Sequence, residues 1–158
     1  MNDSNLFGEK EINKIPVISL HQPWGNWVSL GWKTIETRTH KRLSCLNGKT
    51  IGIHLALKWD SKWIDNAWNY LSENQIERTK RFLKIGGAII CVADVTGFRA
   101  LNNDDSQKSL IECNSLRYGL ILNNIHRIEA IPCKGGQGIF YNKELDIIAD
   151  ELMNVKQI

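Results

Sequence analysis

From Lys49 to Lys58 the chain alternates: Ile51, Ile53, Leu55 and Leu57 hold one register, and Gly52, His54, Ala56 and Lys58 hold the other. Strand side chains point alternately to opposite faces, so the segment reads as a strand with one face in a core. Its other face carries His54 between the small residues Gly52 and Ala56. That leaves room beside the imidazole for another body, either a ligand or a tryptophan from elsewhere in the chain.

The flanking segments set the fold class. Val17 to Leu20 is a short apolar run bounded by Pro16 and His21, and it reads as a buried strand. Pro23 suits the first turn of a helix and Gly31 its end, with Trp24, Trp27, Val28 and Leu30 on one stripe. In Thr34 to Arg38, Ile35 faces one way and Thr34, Glu36 and Arg38 the other, so Glu36 and Arg38 project together. Asp60 or Ser61 caps a long helix with Trp63, Ile64, Ala67, Trp68 and Leu71 on its apolar stripe. Asn74 to Lys84 continues that helix or forms a short one of its own, and Gly86-Gly87 ends it. Ala88 to Ala100 and Tyr118 to Arg127 read as strands, Leu101 to Ser109 as a loop, and Asn142 as the cap of a final helix reaching about Met153. Five or six strands with two or three helices, only one of them long, lack the alternation of a doubly wound sheet. The expectation is an α+β fold, a small mixed β-barrel with peripheral helices.

With 158 residues the chain suits one domain with a real core, expected over 15–158 behind a flexible N-terminal tail of residues 1–14. No apolar run approaches membrane-spanning length and the N-terminus has no hydrophobic signal core, so a cytoplasmic protein without a membrane partner is expected. Cys45, Cys91, Cys113 and Cys133 are isolated from one another, without the spacing of a zinc site; reduced structural thiols are expected, and no metal or cofactor. The net charge of +3 hides an uneven distribution. Between Lys33 and Lys58 stand Lys33, Arg38, Lys41, Arg42, Lys49 and Lys58 against the single acid Glu36. A local basic surface suits an anionic partner such as phosphate, or is simply a solvated face.

Four segments together carry a family resemblance: ISLHQPW, GWKTIETR, IGIHLALKW and YGLILNNIHRIEAIPCKGGQG. From about Val17 to Tyr141 the chain resembles an ASCH domain of the PUA-like superfamily. The resemblance implies a PUA-like β-barrel with a cleft bordered by the helix after QPW, the G-x-K-x-x-E-x-R element and the K-G-x-Q-G loop. It also implies association with RNA or other nucleic acid, with transcription coactivation, or, in one bacterial branch, hydrolysis of the amide of N4-acetylcytidine. In that branch a catalytic Lys stands at the position of Lys33 and a nucleophilic Thr follows three residues later. Here that third residue is Glu36.

The candidate ligand-binding residues are His21, Gln22, Trp24, Lys33, Glu36, Arg38, His54, Lys134 and Gln137. Lys33 could hold a phosphate or act as a base, or merely pair with Glu36. Arg38 offers its planar fork to a phosphate or a base edge, or to Glu36. Gln22 can read an amide or base edge, beside a helix N-terminus that suits an anion, whereas His21 is as readily structural. Trp24 or Trp32 could stack on a base, while Trp27, Trp63 and Trp68 sit on apolar stripes and read as core. The glycines of Lys134 to Gly138 permit close backbone approach to a ligand, without the spacing of a nucleoside-triphosphate loop.

Two functions from different classes follow. The leading one is an RNA-binding or nucleotide-binding domain, with RNA or single-stranded nucleic acid as partner. The alternative is an amidohydrolase acting on a modified nucleoside such as an N4-acylated cytidine, with Glu36 as general base and Lys33 in the catalytic set. A third reading, an adaptor for a protein partner, would use the tryptophan-rich surface.

Overall fold

The computed structural model describes residues 13–82 and 85–155, without the side chains of residues 153–155. Most of the expected tail, residues 1–12, lies outside that description; residues 13 and 14 are exposed and without regular structure.

Five strands form one mixed sheet: β1 (Val17–Gln22), β2 (Ile35–Arg38), β3 (Thr50–Trp59), β4 (Ala88–Ala100) and β5 (Tyr118–Pro132), in the order β1-β3-β4-β5-β2. Only the β1–β3 pair is parallel; β3–β4, β4–β5 and β2–β5 are antiparallel. The alternation of Lys49 to Lys58 is realised in β3. Ile51 and Ile53 join Ile18, Leu20, Ala93, Val95, Leu120 and Leu122 in the main core. The pattern fails in two places: Gly52 and His54 on the other face are buried as well, and Leu57, past the end of the β3–β4 ladder at Leu55, is 75% exposed.

The β4–β5 ladder is interrupted by three register shifts, and Asn124 in β5 has a φ of 50°. Bulges of this kind bend strands and increase twist, and the sheet curls until its two edge strands border a common groove. Here the expected barrel is corrected. Among the described residues no ladder joins β1 to β2, so the sheet stays open, and β2 is only four residues long.

Among the described residues the helices are α1 (Trp24–Ser29), α2 (Trp63–Ala67), α3 (Glu73–Lys80), α4 (Ser106–Ser109) and α5 (Lys143–Val155), five rather than two or three. The long helix expected from Asp60 onward is cut at Ala67, where the backbone tightens into a 3₁₀ turn over Trp68–Tyr70. The break rotates Trp68 off the apolar stripe, leaving it 59% exposed. Ser72 then starts α3 with a capping box shared with Gln75, which satisfies backbone donors that a helix start leaves free. Part of Leu101 to Ser109, expected as loop, forms α4 after a 3₁₀ turn in which Asp105 accepts both guanidinium nitrogens of Arg99 at 2.8 and 2.7 Å.

Two further cores flank the sheet. Trp27, Trp63, Ala67, Leu71, Ile76 and Leu110 pack together, and Trp27 donates to Thr79 at 3.0 Å. On another side, α5 covers Ile15, Val17, Ile89 and Ile131 with Leu145. Asn142 caps α5 as expected, its side chain accepting from the Leu145 N–H at 3.0 Å. Among the described residues no helix is long and apolar enough to cross a membrane.

A cationic groove and the buried ion pair behind it

The groove between the sheet edges has a volume of about 570 Å³. One wall is β1, through Ser19 and His21; a second is the end of β2 and its loop, through Arg38, His40 and Arg42; a third is the run Gly135 to Gly138. Among the described residues none that lines it is acidic. The structure thus brings together three of the expected residues, His21, Arg38 and Gln137, from three distant parts of the sequence.

The backbone of β1 also faces this groove. Parallel pairing uses alternate residues of a strand, and the Gly52 N–H donating to the Pro16 carbonyl fixes that set as Pro16, Ile18 and Leu20. Val17 therefore turns its own N–H and carbonyl the other way, where both meet Phe140 at 2.8 and 3.0 Å. Ser19 and His21 share that outward phase, so their backbone groups lie on the open edge.

His54 holds the glycine wall in place. Its Nε2 lies 2.9 Å from the Cys133 carbonyl oxygen and its Nδ1 lies 2.9 Å from Ser19 Oγ. A carbonyl only accepts, so Nε2 carries the proton and the Ser19 hydroxyl donates to Nδ1. The Gly136 N–H donates to Ser19 Oγ at 3.4 Å. The body beside the imidazole is neither a ligand nor a tryptophan. It is the backbone of Gly135, packed so closely that a Cβ there would stand 2.6 Å from His54 Cε1, together with the ring edge of Phe140.

Behind the second wall lies an ion pair. Lys33 is 1% exposed; its ammonium donates to the Ser109 carbonyl at 2.7 Å, stands 3.7 Å from Glu36 Oε2 and lies 5.2 Å from the Trp24 ring centre. Burial pulls its pKa below the ordinary lysine value, and the Glu36 carboxylate opposes that shift. Glu36 Oε1 is in turn 3.6 Å from Arg38 Nε, so one carboxylate serves a buried cation on one side and a groove cation on the other.

The remaining expected residues sit elsewhere. Gln22 is fully buried, donating to the Ala56 carbonyl at 2.9 Å and leaving its Oε1 without a partner. Trp24 is half-buried beside Trp27, with its indole N–H on Asp60 at 2.8 Å. Trp32 lies under the Arg78 guanidinium and beside Phe82. Lys134 is exposed next to the groove without lining it. Missing from the expectation were Ser19, His40 and Arg42. The basic run Lys41-Arg42 was a visible signal, but nothing in the alternation shows that the loop after β2 turns back along the sheet edge. The four cysteines are unpaired, and among the described residues no group of three His, Cys, Asp or Glu could hold a metal ion.

No protein-family profile matches the chain. Solved structures share its fold. An ASCH protein from Zymomonas mobilis superposes with a TM-score of 0.51 at 12% identity, covering 86% of this chain and 94% of that one. A point mutant of the same protein gives 0.50 at 12% identity, covering 90% and 98%.

Proposed function

We propose, from the premise that this chain carries an ASCH-type fold, that its open groove binds the phosphate groups of a nucleic acid or nucleotide, RNA before DNA. The observation that carries this reading is a set of uncommitted donors. The side chains of Arg38, Arg42 and Gln137 make no hydrogen bond to any described residue, although all three line one concavity. The terminal nitrogens of Arg38, whose Nε faces Glu36, and the guanidinium of Arg42 stand beside a glycine-rich wall and suit phosphate oxygens, which accept two parallel N–H bonds from one Arg. The test is fluorescence anisotropy of a labelled single-stranded RNA at rising salt. Arg38→Ala and Arg42→Ala should each reduce the salt slope by roughly 0.7; affinity unchanged by both substitutions would remove the groove from the account.

The nucleoside amidohydrolase is the second reading, and the depressed pKa of Lys33 beside Glu36 favours it. A neutral amine or the carboxylate could take a proton from water attacking an acyl group. Binding ranks first because Lys33 is closed off by Ser109 and Glu36 rather than presented to the groove. Deacylation of N4-acylated cytidines that is abolished in Glu36→Gln would reverse the order.

A further inference from the structure

Resting on the groove reading above, we infer that the ligand is a nucleoside monophosphate unit, free or at the end of a strand, and not the interior of a polymer. Size is the first reason. Pockets for small molecules run from roughly 300 to 1,000 Å³, and about 570 Å³ falls within that range. Single-strand tracks hold about 4–16 nucleotides and supply aromatic rings for the bases to stack on. Among the described residues no Trp, Tyr or Phe lines this groove, and Trp24 and Trp32 are occupied by Lys33, Arg78 and Phe82.

Charge is the second. Arg38 turns its Nε toward Glu36, which leaves its two terminal nitrogens for a ligand, and among the described residues Arg42 has no acid within ion-pair distance. An internal phosphodiester carries one negative charge, whereas a terminal monophosphate carries about −1.5 to −2 near neutral pH and three free oxygens. Two guanidinium groups on one wall complement the second far better than the first. The outward backbone of Ser19 and His21 and the amide of Gln137 line the same groove and offer donors and acceptors to a base edge.

Competition against a labelled linear RNA phosphorylated at its end tests this. The competitors are the ribonucleoside monophosphates, the matching nucleosides, the same RNA without its terminal phosphate, and a circular RNA of equal length. The monophosphates should displace the probe. Nucleosides and unphosphorylated RNA should compete about tenfold less well or worse, circular RNA should not compete, and Arg42→Ala should erase the preference. Monophosphates that fail while an unlabelled copy of the end-phosphorylated RNA displaces the probe would overturn the free-nucleotide half of the inference. Circular RNA competing equally, or nucleosides matching their monophosphates, would overturn the inference while leaving a nucleic-acid groove. Failure of every probe to bind would overturn the groove reading itself.

Discussion

Glu36 stands between two cations, 3.7 Å from the ammonium of Lys33 and 3.6 Å from Nε of Arg38, with Lys33 1% exposed and Arg38 open to the groove. A buried charge without its partner is costly, and whereas Glu36→Gln strands the buried Lys33 ammonium, Lys33→Met leaves Glu36 its second cation, Arg38. Glu36→Gln should therefore destabilise the fold by about 3 kcal/mol. Lys33→Met should cost nearer 1 kcal/mol, mainly through the Ser109 carbonyl left unpaired. Urea unfolding at neutral pH checks the order, which would be reversed if Glu36 served the groove alone.

The same lysine sets an alkaline trend. Burial, the largest influence, lowers its folded pKa below the 10.5 of the unfolded chain. Between those two values the unfolded state holds the extra proton, so stability rises with pH. The wild type should gain on Lys33→Met as pH climbs from the depressed value toward 10.5. Parallel stability curves for the two proteins would show that Lys33 does not lose its proton early.

At Gly135 an added Cβ would meet His54 Cε1 at 2.6 Å and Ser19 Oγ at 2.8 Å. Neither group can step aside without breaking the bonds that hold the wall. Gly135→Ala should cost about 2 kcal/mol and weaken groove binding. Gly138 has a φ of 70° but open space around it, so Gly138→Ala should cost only the backbone strain, about 1 kcal/mol. Thermal unfolding of the two variants separates the cases.

The Arg99 guanidinium beside Asp105 holds that carboxyl down to about 2, against 3.8 in the unfolded chain. Its contribution is full above 3.8 and lost as pH falls through about 2. Asp105→Asn should flatten this part of the acid unfolding profile and loosen the turn before α4. An unchanged profile would contradict the pairing.

Much of this fold was legible where one face of an element is buried. The alternation of Ile51 and Ile53, the stripe of Trp27 and Val28, and the capping Asn142 all appear as read, because periodicity reports burial directly. The groove was only half legible. Alternation shows that Glu36 and Arg38 share a face, but not that the sheet curls far enough to set Arg38 opposite His21. Bulges in β4 and β5 produce that curl, and no residue type announces them. His54 was recognised as having a neighbour, and the neighbour was missed because Gly135 is remote in sequence and contributes only backbone. Trp68 was misplaced for a local reason: the stripe continues through a point where the helix does not.

Amide chemical-shift mapping during titration with a phosphorylated ribonucleotide shows whether the groove is where phosphate binds. The largest changes should fall at Ser19, His21, Arg38, Arg42 and Gly135 to Gly138, and Arg38→Ala should diminish them all. Changes concentrated instead around Trp63 and Phe82, with the groove amides unmoved, would contradict phosphate binding there.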